Sequence, residues 1–377
     1  MRISIDEKRA FALFDELVGR WMAKQYPYNR PDAIIPQNII PEDIRRDKLT
    51  LARFYFYLCI YMRGGIESLQ AFNALILMWR AHPVLFDPHY AQWLRHENVQ
   101  ELLKKFIGWD SKSASISWVE NSKRLARNWS GNPLCLLKGL RDYDEAVCRI
   151  KNKTTKKELR EAALGNEGFR GFQPKMVSML IYFYDWEGWL EKRFLYPSPA
   201  DFHNFRLGLG NEVIVVELAE GERLSANEKL SAPWRAVVMR YLKTRRADPL
   251  AVADALWLFS LVMCGNSPVT VTKQQNGGTP LFAHHGVEET FSHDQWVLHK
   301  GRKLLEQTCL VCPFTKTCAY AIPSRPYYRK GQLVLRLRSK IELKTNTAIL
   351  REPLWSEVLL EPEVVQLIPH LEHPASA

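Results

Sequence analysis

The sequence has no hydrophobic run long enough to cross a bilayer. Its longest apolar stretches, residues 54–62 and 255–263, fall well short of the roughly 20 residues that a spanning helix needs. The opening residues, Met1-Arg-Ile-Ser-Ile-Asp-Glu-Lys-Arg9, lack the apolar centre of a secretion signal. These absences argue against membrane and secreted classes and predict a cytoplasmic protein, nucleoid-associated if bacterial. There is no internal repeat and no low-complexity tract, which removes solenoid and tail-dominated organisations. Strand-like runs are scarce before residues 213–218. Cysteine is sparse, seven in 377 residues, and a reducing compartment leaves those thiols free for metal rather than for disulfides.

Apolar residues make up 46% and charged residues 25%, ordinary for a globular chain with ample core. Net charge and aromatic content are less ordinary. An excess of +11 favours a polyanionic partner, and 12 Trp, 14 Tyr and 17 Phe supply either core packing or surfaces on which bases stack.

Helical periodicity dominates the first two thirds. It predicts helices over 8–24, 41–63, 67–81, 88–95, 99–107, 113–128, 132–140, 142–150, 156–164 and 175–184, with later strands near 213–218 and 333–337. The first of these places Ala10, Phe11, Phe14, Leu17, Val18 and Trp21 on one face. The tail from residue 331 reads as a strand pair, then a brief helix over 361–368. The fold class expected is mainly α.

Cys309, Cys312 and Cys318 stand as C-x2-C-x5-C in Cys309-Leu-Val-Cys-Pro-Phe-Thr-Lys-Thr-Cys318. Thiolates this close in a reduced protein point to a metal centre, zinc or iron–sulfur, and either needs a fourth ligand. Cys264, which ends the apolar run 255–264, is the best upstream donor. Cys59, Cys135 and Cys148 lie singly in apolar or mixed segments and read as buried small residues.

Upstream, Glu167-Gly-Phe-Arg-Gly-Phe-Gln-Pro-Lys175 separates two helical patterns, its glycines allowing a tight turn into the next helix. Amides at such a helix start suit a phosphate oxygen. Asp201 then opens an element in Pro199-Ala-Asp-Phe-His-Asn-Phe-Arg206. An aspartate there is equally the ordinary N-cap of a helix. A further segment carries His284, His285, Glu288, Glu289, His293 and His299, a set open to a second metal, a lid or a merely polar loop.

Taken in order, these features resemble the helix-hairpin-helix DNA glycosylases of the endonuclease III type. Those enzymes carry a Leu-Pro-Gly-Val-Gly-x-Lys hairpin, a Val-Asp-Thr-His-Val-x-Arg segment and a C-x6-C-x2-C-x5-C loop. Here Gly171-Phe-Gln-Pro-Lys175, Ala200-Asp-Phe-His-Asn-Phe-Arg206 and the 309–318 loop are similar to them, over roughly residues 54–323. Residues 106–116 with 125–133 are similar to the helix pair that precedes the hairpin. Four departures stand out. Gln173 replaces the second hairpin glycine, Pro174 lacks an amide hydrogen, and 44 residues separate Cys264 from Cys309. The gap from Lys175 to Asp201 is also longer than the family's and implies a short insertion around 186–194.

The resemblance implies a two-lobed helical fold with an iron–sulfur loop. An extension over 1–53 would precede a core over 54–264, followed by an insertion over 265–308, the loop over 309–323 and a C-terminal extension over 324–377. It implies a monomer, without membrane association, that acts on damaged or modified duplex DNA and cleaves the N-glycosidic bond of a flipped-out base. Asp201 is the implied catalytic carboxylate. Lys175 is the implied amine for Schiff-base and AP-lyase chemistry, or else a solvated lysine beside phosphate. Gly168, Gly171, Gln173, His203, Arg206 and Lys316 form the implied DNA-contacting set, His203 and Arg206 with a structural role as the alternative. Cys264, Cys309, Cys312 and Cys318 would hold a [4Fe-4S] cluster, with zinc as the alternative metal. Lys300, Arg302, Lys303, Lys316 and Arg325 flank the loop. Two other functions fit the same residues: a non-catalytic nucleic-acid-binding module, and a hydrolase of a modified nucleoside, nucleotide or RNA.

Overall fold

In a computed structural model the chain is mainly α-helical. The structure describes residues 2–31, 33–62, 68–108, 111–161, 166–217, 228–264, 270–272, 281–284, 287–289, 312–318, 327–329, 332–338, 342–344, 347–349 and 355–360. Strand β1 (Arg2–Ile5) leads into α1 (Glu7–Met22), which starts where the Asp6 carboxylate accepts the Arg9 amide at 2.9 Å. Next come α2 (Glu42–Arg45) and α3 (Lys48–Tyr61). The periodicity of 41–63 predicts a single helix, but Asp47 interrupts it. Its backbone is extended, and its carboxylate caps the new helix through the Leu49 and Thr50 amides.

The chain continues through α4 (Ser68–Ala81), α5 (Pro88–Ala91), α6 (His96–Ile107), α7 (Lys112–Trp129), α8 (Tyr143–Ile150), α9 (Lys156–Glu161) and α10 (Pro174–Trp186). A helix over 132–140 does not form. Pro133–Leu136 makes a single 3-10 turn capped by Asn132, and Gly139 sits at φ +68°, outside the helical region. Beyond α10 lie α11 (Phe202–Gly210), β2 (Ile214–Glu217), α12 (Glu228–Arg245), α13 (Pro249–Phe259) and one π turn, Ser260–Cys264. The later described residues form short antiparallel strands. Gln332–Arg338 lies between Tyr327–Arg329 and Trp355–Leu360. The helix expected over 361–368 lies outside the described residues. Among the described residues no helix is long and apolar enough to cross a membrane.

Two compact units divide the chain. One comprises Ile34–Pro199 and Val238–Ala253, and its core is built round α3. Every residue from Phe54 to Tyr61 is buried, which identifies α3 as a helix apolar on all sides with neighbours all round. Aromatic rings fill the contacts. Tyr55 stacks on Phe183 at 4.6 Å, Tyr57 on Trp118 at 4.3 Å, and Phe56 on Phe172 at 5.4 Å. The polar ends of these rings are satisfied: Tyr55 donates to Glu187 at 2.6 Å, and the Trp118 indole donates to the Leu85 carbonyl at 3.0 Å. Much of the aromatic excess in the sequence is therefore core. Of the three lone cysteines, Cys59 is buried as its segment predicts. Cys135 is half-buried and Cys148 is exposed, because α8 turns Tyr143, Ala146 and Ile150 inward and leaves position 148 on the opposite face.

The other unit comprises Met1–Ala33, Ala200–Val237 and Asp254–Ala377. In it β1 pairs antiparallel with β2, Ile5 facing Ile214. Buried Ala10, Leu13, Phe14 and Leu17 of α1 pack inward, and Phe14 meets Trp234 edge-on at 5.5 Å. The Tyr28 hydroxyl donates to the Ala255 carbonyl at 2.9 Å.

The start of α9 carries a pH dependence. Glu158 accepts the Thr155 and Thr154 amides, a Lys151 ammonium and the Thr155 hydroxyl, in that order of weight, which lowers its pKa from 4.5 to about 2. A depressed carboxylate stabilises at pH above its unfolded value, and that contribution is lost as pH falls through the folded one. Protection factors of the first-turn amides of α9 should therefore fall between about pH 4.5 and pH 2. Protection unchanged across that window would show that the Glu158 contacts contribute nothing.

Candidate functional site

The turn that precedes α10 is tied to its unit from several directions. Gly168 and Gly171 have φ of +72° and +80°, a region that glycine enters without strain. Phe169 and Phe172 between and beside them are buried, and both pack on Phe56. Asn121 of α7 treats Arg170 as a strand partner: its Nδ2 donates to the Arg170 carbonyl at 3.0 Å, and its Oδ1 accepts the Arg170 amide at 2.7 Å. Arg124 donates to the Gly168 carbonyl at 2.9 Å and to Asn152 at 3.2 Å, and Arg127 pairs with Glu167 at 2.7 Å. The Lys153 ammonium is held by the carbonyls of Cys148 and Asn166, and partial burial lowers its pKa.

Gln173 is exposed, and α10 begins with no side-chain cap and with Pro174 in its first turn. The amides of Met176 and Val177 both turn back onto the Gln173 carbonyl, at 2.8 and 3.1 Å. Lys175 follows Pro174 in this first turn and is half-buried. The turn tolerates glycine alone at position 168, because an added Cβ there would lie 1.9 Å from the Lys151 carbonyl oxygen. Gly168→Ala should cost about 2–3 kcal/mol in urea unfolding. A cost no larger than the roughly 1 kcal/mol of backbone strain alone would contradict this close approach.

Asp201 and the cysteine loop belong to the other unit. Asp201 is the N-cap of α11 and is half-buried. Its Oδ1 accepts three hydrogen bonds, from the His203 amide at 3.0 Å, the Asn204 amide at 3.2 Å and Asn204 Nδ2 at 2.9 Å. None among the described residues falls on Oδ2. The N-cap role is therefore present, and it occupies one carboxylate oxygen rather than both. His203 is buried, its Nδ1 lying 3.3 Å from Ser260 Oγ and its ring 6.2 Å from Trp257. Arg206 is half-buried on the same helix.

The π turn Ser260–Cys264 extends α13, and Cys264 is its last residue. Cys312 and Cys318 bracket a compact turn in which the Cys318 amide donates to the Phe314 carbonyl at 2.7 Å and the Thr315 hydroxyl to the Cys312 carbonyl at 2.8 Å. Phe314 packs edge-on against Phe259 at 5.5 Å. The chain after the long 265–308 segment thus returns to the end of α13, five positions before Cys264. Both cysteines are half-buried and Lys316 is exposed. Cys309 lies outside the described residues, as do His285, His293, His299, Lys300, Arg302, Lys303 and Arg325. Among the described residues no three His, Cys, Asp or Glu side chains converge as a metal site.

Sequence reasoning passes over Asn121, Asn204, Trp234 and Ser260. Asn204 lies inside the quoted aspartate segment, so its place beside an N-cap was a usable signal. The other three are joined to their partners only by tertiary packing. The chain matches no protein-family model and no curated protein.

Proposed function

We propose that the chain is a base-excision enzyme of the helix-hairpin-helix type, cleaving the N-glycosidic bond of a modified or damaged base in duplex DNA. The observation that supports it most is the state of Asp201. A half-buried carboxylate whose Oδ1 is held by three donors, with Oδ2 unpartnered among the described residues, has a fixed orientation and one oxygen left for chemistry. In the proposed reaction the base departs with the electron pair of its bond to C1′, and Oδ2 stabilises the positive charge that develops on the sugar. Water then adds at C1′ and gives its proton to the same oxygen.

The braced turn before α10 contributes grip. Its glycines bring backbone close to a phosphate, and the uncapped start of α10 presents a partial positive charge. Pro174 removes one amide from that set, so part of the grip falls to cationic side chains. Cys264, Cys309, Cys312 and Cys318 are the residues that would hold a [4Fe-4S] cluster. Two described thiols on one turn, and the return of that turn to α13 through Phe314 and Phe259, fit such a ligand set. When bound, the cluster supplies a cross-link that fixes the loop carrying Lys316.

Two measurements test these assignments. Duplex affinity should fall by orders of magnitude between low and moderate salt if about six phosphates are contacted, and salt-insensitive binding would count against the DNA assignment. Anaerobically purified protein should be brown with iron and sulfide present. Colourless protein with stoichiometric zinc would replace the cluster by a zinc site. A non-catalytic binding module is the second reading, favoured by the N-cap role of Asp201. Base release by the wild type separates the two.

A further inference from the structure

Asn204 lies between two groups of opposite hydrogen-bonding character. On one side is the Asp201 carboxylate, which when ionised only accepts. On the other is the indole Nε1 of Trp234, which only donates. The Asn204 Nδ2 reaches Asp201 Oδ1 at 2.9 Å, and its Oδ1 accepts from Trp234 Nε1 at 3.3 Å. The amide orientation follows from this chemistry, since the reverse flip would set oxygen against carboxylate and N–H against N–H. Asn204 is 2% exposed and Trp234 is fully buried, so neither contact is shared with solvent. The support behind Trp234 is tight. Phe14 meets its ring edge-on, and a Cβ on Gly208 of α11 would lie 2.7 Å from it. The indole ring thus packs closely against α1 at Phe14 and against α11 at Gly208.

We infer that Asn204 is a positioning residue for Asp201, oriented by Trp234: the Trp234–Asn204–Asp201 chain holds the carboxylate so that Oδ1 is occupied and Oδ2 is the reacting oxygen. The inference rests on the proposed role of Asp201. An asparagine that merely packed the start of a helix would affect stability. One that orients the carboxylate affects the rate of the chemical step and leaves DNA affinity alone.

The test is single-turnover base release from duplexes carrying uracil, hypoxanthine, 8-oxoguanine, 3-methyladenine or thymine glycol, alongside duplex affinity and thermal melting. Asn204→Leu and Trp234→Phe should each slow release by about ten- to a hundredfold, with affinity within about twofold of wild type. The double variant should be no slower than the slower single, because both break one chain. Should Asn204→Leu fail to fold, Trp234→Phe carries the test, since it removes one N–H and keeps an aromatic ring in place. Unchanged rates in folded variants, or losses that multiply in the double variant, would overturn the inference. Wild-type release that vanishes in Asp201→Asn yet is unmoved by Asn204→Leu would overturn it alone. Release that persists in Asp201→Asn, or no release by the wild type from any duplex, would remove the reading of Asp201 and the inference with it.

Discussion

Asp201→Asn is expected to lower base release by about a thousand- to ten-thousandfold, some 4–5.5 kcal/mol of transition-state stabilisation, while duplex binding stays intact or tightens. The substitution is a clean probe because asparagine caps helices as well as aspartate does. Its side-chain oxygen can still accept the amides of His203 and Asn204. What changes is the second oxygen, replaced by an NH2 group that neither stabilises a cation nor takes a proton. Melting temperature should stay close to wild type, and removal of a negative charge beside a polyanion accounts for the unchanged or tighter binding. A folded Asp201→Asn protein with undiminished release would show that the carboxylate is only a cap. Lys175→Gln, by comparison, should spare base release in a monofunctional enzyme and eliminate borohydride-trappable adducts in a bifunctional one.

Asp185→Ala is expected to destabilise the fold by about 2–3 kcal/mol. The Asp185 side chain is only 2% exposed and takes both Arg193 nitrogens, Nε at 2.6 Å and Nη2 at 2.9 Å. It also accepts the hydroxyl of fully buried Tyr196 at 2.9 Å. Truncation leaves that hydroxyl without its partner in the interior, which alone costs about 1–3 kcal/mol, and frees the guanidinium from its bidentate site. Arg193 keeps a second partner, Asp248 at 2.7 Å. The Asp248 Oδ1 also accepts the Leu250 amide at 3.3 Å at the start of α13, so Asp248→Ala should cost about 1 kcal/mol, mostly as a lost cap. Urea denaturation compares the two. A larger loss at Asp248 than at Asp185 would reverse the assignment of which carboxylate pins the loop after α10.

Local pattern made most helices of the Ile34–Pro199 segment legible. The apolar face of 113–128 anticipates α7 almost to its ends, and Gly108, at φ +75°, closes α6 where a glycine in the sequence stands ready. Pattern failed where a single side chain or a distant partner decides. Asp47 splits one periodic stretch into two helices because its carboxylate competes for the amides ahead of it. Residues 2–5 become a strand only because Ile214–Glu217 pairs with them. At the site, Asp201 as the start of an element was readable from its context. Its surroundings were not: Trp234 reaches Asn204 from 30 positions away, and Ser260 reaches His203 from 57. The return of the cysteine loop was equally hidden, since the Phe259–Phe314 contact closes over a long intervening segment that has no helical pattern.

The central claim is that this chain releases a base from DNA, and the most direct measurement is mass-spectrometric detection of free base. The purified full chain is incubated with each lesion duplex, and Asp201→Asn is run beside it. The prediction is one or more free bases and matching abasic sites from the wild type, and neither from the variant. Duplex binding without release from any substrate would contradict the enzyme and leave a nucleic-acid-binding module.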